Sequence, residues 1–164
     1  MVEQEQRRIR YLASGCLRPK TGLPFEDRLV FMYDGLTELI QSWRPEQAAV
    51  ETTFFGKDPT AAARLGEARG VLVLAAANAG LAIAHYAPAA VKKSVVGRGR
   101  ATKEQVRYMI AKMLELRELP TPHDACDAVA LALCHLARSA VAVPASTHRP
   151  RPEVEALLKR ARRR

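Results

Sequence analysis

The chain has 164 residues, which suits one domain, and 48% of them are hydrophobic, enough for a packed core. A formal net charge of +9 and a pI near 9.9 exclude an acidic, self-solvating chain. They point to a polyanionic partner, nucleic acid before a membrane surface, with a charge that serves solubility alone as the plainer alternative.

Met1 to Arg10 is charged and has no apolar segment, so no secretory leader is expected. Arg8 to Arg18 alternates around Ile9, Tyr11 and Leu12, which predicts a strand running into a turn at Arg18-Pro19-Lys20. From Pro24 to Trp43, Leu29, Met32, Tyr33, Leu36, Leu39 and Ile40 recur in steps of three and four, the spacing of an amphipathic helix. Pro45 ends it. Gln47 to Glu51 is a short apolar strand that delivers a carboxylate to its end. Thr52 to Asp58 is a loop holding Phe54 and Phe55. Pro59 stands at a permitted first position of a long helix reaching Asn78, with Gly80 as its stop. Leu81 to Tyr86 is a second buried strand. The apolar stretch from Gly70 to Val91 is no membrane span, because Asn78, Gly80, His85 and Pro88 interrupt it. Pro88 to Val96 reads as a short helix and Gly97 to Arg100 as a loop. Thr102 caps a helix running to Leu116, and Asp124 to Ala140 forms the last helix. A basic tail follows, broken by Pro150 and Pro152 and ending in Arg162, Arg163 and Arg164. The expected division is a domain over 1–143 and a flexible basic tail over 144–164.

The three cysteines, Cys16, Cys126 and Cys134, show no CxxC spacing and are odd in number. That argues for free thiols in a reducing, cytoplasmic setting, not for disulfides or a zinc site. Cys126 and Cys134 are expected as small buried apolar residues.

The acids of interest are Glu51, Asp124 and Asp127. Asp124 and Asp127, at i and i+3, share one face of a helix start. Two acids there also suit the helix dipole, so spacing alone leaves a structural role open. The chemical alternative is a hard-cation site, since Mg²⁺ prefers oxygen ligands and is often held by a few carboxylates plus substrate phosphates. Two such ions can activate water and stabilise the leaving oxygen in phosphodiester hydrolysis.

Four ordered stretches then resemble the RuvC family of Holliday-junction resolvases. They are Tyr11-Leu12-Ala13-Ser14-Gly15-Cys16; Val50-Glu51-Thr52-Thr53-Phe54, followed by Arg64-Leu65-Gly66-Glu67-Ala68-Arg69-Gly70-Val71; Val91-Lys92-Lys93-Ser94-Val95-Val96-Gly97, leading to Lys103; and His123-Asp124-Ala125-Cys126-Asp127-Ala128-Val129-Ala130. The resemblance covers roughly residues 9 to 138. It implies a ribonuclease H-like α/β fold, a mixed sheet flanked by helices, and a homodimer. It further implies a nuclease that nicks two strands of a four-way junction symmetrically with Mg²⁺, two ions per site, in recombination and repair. RuvA and RuvB are the implied partners. By position, Glu51, Asp124 and Asp127 match three of the family's four metal-site acids. Phe54 matches an aromatic beside the junction crossover, able to stack on an unpaired base. Lys92 and Lys103 match DNA-contacting lysines, and Lys93, Arg98 and Arg100 cluster with them in sequence. The helix from Pro59, with Ala61, Ala62, Ala63, Gly66 and Ala68, resembles the family's dimer helix. His85, His123 and His135 carry no assigned role.

The family opens on a strand bearing Asp-Pro-Gly, and this sequence has no such motif. The expectation is therefore a domain lacking its first, central strand and the fourth acid, which leaves two neighbouring strands with unpaired backbone groups. A start codon assigned too far downstream is the simplest account. A natural truncation that binds junctions without cutting is the other. Glu67 is a smaller departure, at a position where the family more often has an amide. A third class, a generic basic α/β domain with structural acids, does not account for four ordered motifs.

Overall fold

The computed structural model describes residues 1–6, 8–52 and 58–139. Phe54 and the tail expected at 144–164 lie outside the described residues. The chain opens with a hairpin. Strand β1 (Val2–Glu5) pairs antiparallel with β2 (Arg8–Tyr11), Val2 opposite Tyr11 and Glu5 opposite Arg8. Strand alternation turns Val2, Ile9 and Tyr11 onto the core and leaves Glu3, Glu5 and Arg10 outside. Arg10 pairs there with Glu3 at 2.7 Å and Glu5 at 3.3 Å. The strand expected to run from Arg8 to Arg18 ends at Tyr11, and a second strand precedes it.

Local punctuation places the other elements. Helix α1 (Phe25–Trp43) stops where Arg44 turns left-handed ahead of Pro45. Strand β3 (Gln47–Glu51) leads to α2 (Pro59–Asn78). The Asp58 side chain accepts from the amides of Thr60 and Ala61 at the start of α2, where Pro59 has no N–H to leave unpaired. Gly80, at φ +77°, turns the chain into β4 (Ala82–Tyr86), which lies parallel to β3. Helix α3 (Pro88–Val96) ends on Gly97 at φ +80°. Helix α4 (Lys103–Met113) starts on a reciprocal cap between Thr102 and Gln105, and α5 (His123–Ser139) closes the described chain. The expected helix to Leu116 stops at Met113, where the chain turns through Glu115 at φ +50°.

The core is built by α3, α4 and α5. Val91 and Val95 of α3, Val106 and Ile110 of α4, and Cys126, Val129, Leu133 and Cys134 of α5 form one buried cluster. Both cysteines are fully buried, as expected for small apolar fillers. Helix α5 packs against both β1 and β3 and so spans the two sheets. The mixed sheet expected from the sequence is realised as two two-stranded sheets, one antiparallel and one parallel. Among the described residues no strand joins β1 to β3, so the sheet is interrupted where the resemblance implied unpaired neighbours.

Candidate active site

Parallel pairing of β3 with β4 brings Glu51 to the carboxyl end of its strand, opposite Tyr86. Sites in open α/β sheets form beyond such ends. The end is held firmly. The amide of Thr52 donates to the Tyr86 carbonyl at 2.8 Å, continuing the ladder. From α2, Arg69 donates through Nε to the Glu51 carbonyl at 3.0 Å and through Nη2 to Nδ1 of His85 at 2.8 Å. Because guanidinium only donates, His85 accepts at Nδ1. One side chain thus clips α2 to both strands at the point where the carboxylate emerges.

The second acid comes from α5, which packs against β3. Asp127 lies half-exposed, its Oδ2 3.5 Å from Nζ of Lys103 on α4. Burial raises the Glu51 carboxyl above its ordinary value, the charge of Asp127 raises it further, and Lys103 and Lys92 pull it back. Glu51, Asp127, Lys103 and Lys92 therefore share one electrostatic neighbourhood, although they come from four different elements. A carboxyl whose ionisation is opposed by burial and by a second carboxylate, with ammonium groups nearby, fits a hard dication in chemistry: oxygen donors, and a cost of charge that a cation relieves.

The other residues singled out from the sequence are less tightly gathered. Asp124 is exposed in the first turn of α5, one turn before Asp127. Among the described residues no three His, Cys, Asp or Glu side chains converge closely enough to hold a metal ion, so the expected set of Glu51, Asp124 and Asp127 is not closed. Lys93, Arg98 and Arg100 are exposed along the last turn of α3 and the loop after it. Phe54 lies outside the described residues.

Sequence reasoning missed four supporting residues. Arg69 is one. The others form a chain through His135 of α5. Its Nδ1 lies 2.9 Å from the Tyr86 hydroxyl, and its Nε2 lies 2.5 Å from Oε1 of Gln47. The only available hint was a histidine placed among Leu133, Cys134 and Leu136 on an apolar helix.

Comparison with known proteins identifies the family. The family model described as crossover junction endodeoxyribonuclease RuvC matches residues 1–135. A protein of that name from Tolumonas auensis is 45% identical over 135 residues, 82% of this chain and 77% of the relative. Another, from Alkalilimnicola ehrlichii, is 48% identical over 136 residues, 83% of this chain and 81% of the relative. Among solved structures, Thermus thermophilus RuvC superposes with a TM-score of 0.76 at 31% identity, covering 87% of both chains. The same protein in complex with a Holliday junction substrate superposes with a TM-score of 0.77 at 32% identity, covering 82% of both.

Proposed function

Since the chain belongs to the RuvC family of crossover junction endodeoxyribonucleases, we propose that it resolves four-way DNA junctions by hydrolysing one phosphodiester in each of two strands. The observation that carries the reading is the Glu51–Asp127 pair with Lys103 and Lys92 beside it. Glu51 and Asp127 would hold Mg²⁺, with Asp124 as the third ligand that the resemblance implies and two ions per site. The bound cation supplies charge neutralisation and activation of water. The protein's own side chains do the rest. Lys103, paired with Asp127 at 3.5 Å, carries an ammonium group that would neutralise a DNA phosphate beside the site. Lys92 neutralises the same backbone. Lys93, Arg98 and Arg100 extend the phosphate track, and Phe54 stacks on a base at the crossover. The reading as a junction binder that does not cut is not favoured: the relatives reported above are named endonucleases, and three of the four acids that the resemblance assigns to the site, Glu51, Asp124 and Asp127, are in the sequence.

The homodimer proposed here uses α2. Ala63, Gly66, Gly70 and Leu74 are all exposed, and their spacings of three and four put them on one helix face. Open space beside Gly66 and Gly70 lets a second backbone approach closely. RuvA and RuvB are the proposed partners in branch migration, and the cytoplasm the proposed compartment. Among the described residues no helix is long and apolar enough to cross a membrane.

The test is incubation of the 164-residue chain with a synthetic four-way junction. Paired nicks at symmetric positions, dependent on Mg²⁺, abolished by chelator and absent on linear duplex, are expected. Retardation of the junction without nicking in Mg²⁺ or Mn²⁺ would overturn the enzymatic reading in favour of binding alone.

A further inference from the structure

Glu51 and Asp127 arrive on different elements, a strand and a helix, so whatever fixes the helix on the strand fixes the site. Apart from His135, the residues that α5 buries are apolar, Leu133 and Val129 the largest among them. Such packing sets how closely a helix approaches a sheet. It does little to stop the helix sliding or rolling, because dispersion contacts have no direction. Hydrogen bonds do have direction, and α5 places a buried hydrogen-bonding group against the parallel sheet at His135.

The geometry assigns His135 a role as a positioning residue: pinned between Gln47 and Tyr86, it sets the register of α5 on the β3–β4 sheet and so the separation of Asp127 from Glu51. Gln47 is the first residue of β3, and Tyr86 is the last of β4, opposite Glu51 in the pairing. The imidazole therefore reaches both strands and both ends of the sheet. The proton positions follow from the partners. Oε1 of Gln47 can only accept, so Nε2–H donates to it, and Nδ1, left with its lone pair, accepts from the Tyr86 hydroxyl. That arrangement requires neutral imidazole. Burial pushes His135 below its ordinary value and favours that form. The rings of His135 and Tyr86 also meet edge to face with centroids 5.8 Å apart, and the Arg138 guanidinium lies 5.7 Å from the Tyr86 ring centre. His135 stands about two helical turns beyond Asp127, near enough for a shift in one to be carried to the other. A displacement of about 1 Å at a reacting centre costs on the order of 10²-fold in rate.

The inference rests on the metal-site reading of Glu51 and Asp127, and the experiment separates the two. Tyr86→Phe deletes one hydroxyl and keeps the ring. His135→Phe removes both bonds, and His135→Gln restores a donor and an acceptor. For each, three quantities are measured on the full chain: single-turnover cleavage of a bound junction, Mn²⁺ affinity by calorimetry, and the backbone amide resonances of Glu51 and Asp127 without metal. Tyr86→Phe and His135→Phe are expected to slow cleavage by about 10- to 10²-fold and to weaken Mn²⁺ binding. Junction affinity should stay within about twofold, and His135→Gln should recover part of the rate. The amides of both acids should shift in the metal-free protein. A folded Tyr86→Phe protein with unaltered cleavage, Mn²⁺ affinity and amide resonances overturns the proposal. If His135→Phe does not fold, Tyr86→Phe alone decides it. If the parent neither cuts nor binds Mn²⁺, the metal-site reading fails, and the amide shifts of Glu51 and Asp127 still support or overturn the brace.

Discussion

Helices α3, α4 and α5 hold one another through side chains that water does not reach, while α1 runs for 19 residues without burying one. Val30, Phe31, Leu39 and Trp43 of α1 remain exposed, and α2 buries only Ala75 and Ala76. The two regions share a chain but differ in what they are shaped for. The three-helix region supplies rigidity, and Asp127 is mounted on its best-packed member. The α1–α2 layer supplies surface, and the Arg69 guanidinium of α2 reaches the site. Loss of function is therefore expected to come from the first region, and loss of assembly from the second.

The largest effect tests what the packed region carries. Asp127→Asn should reduce cleavage by about 10³-fold, the size of several kcal/mol of lost charge stabilisation. Junction affinity in gel retardation should persist. Near-normal cutting by this variant would remove Asp127 from the site.

Next in size is a pair of substitutions, one in each region. Ile110→Ala, at a fully buried position, should lower unfolding free energy by about 2–5 kcal/mol. Val30→Ala, at a side chain 57% exposed, should change it by less than about 0.5 kcal/mol. Equal losses in denaturant melts would erase the contrast between the regions.

A third test uses two substitutions at one position. Gly70 has nothing within reach of an added Cβ. Gly70→Ala should therefore stabilise the chain by about 0.4–1 kcal/mol by restricting the unfolded state. Gly70→Leu should leave the fold intact yet shift sedimentation from dimer toward monomer. A dimer indifferent to leucine there would move the interface elsewhere.

The smallest effect concerns Glu51. Its folded pKa is raised above an ordinary value of 4.5, so the metal-free chain is stabilised below that pH and loses this stability as pH rises through the folded value. Glu51→Gln should consequently raise the melting temperature slightly at neutral pH without metal. His135 works in the opposite sense. Its depressed pKa gives stability that is present above 6.5 and lost as pH falls through the folded value. In the Glu51→Gln background the acid-side gain disappears, and the loss due to His135 should be easier to read in a melting series from pH 7 to just above the carboxylate range.

Much of this architecture was readable from the sequence because its punctuation is local. Pro59 and Asp58 start α2, Gly97 ends α3, and Thr102 with Gln105 starts α4, each through contacts within a few residues. Strand β1 was harder to read as an element of its own, because Val2 is the one apolar residue in its span and the strand is defined by pairing with β2. Glu51 and Asp127 came from motif positions, and the structure gathers them with Lys92 and Lys103. Their supports could not be found in that way. Arg69 reaches a carbonyl 18 residues away, His135 meets Tyr86 across 49 positions, and it meets Gln47 across 88. No spacing rule connects such partners, since only the folded chain brings them within reach.

The interruption between the two sheets also has a consequence for hydrogen exchange. Strand β3 has β4 on one edge and, among the described residues, no strand on the other. Amides of β3 that point toward β4 should exchange slowly, on the scale of global unfolding, and those that point away should exchange through small local openings. The strand that carries Glu51 would thus show protection alternating along its length, a pattern expected of a sheet margin rather than a sheet centre.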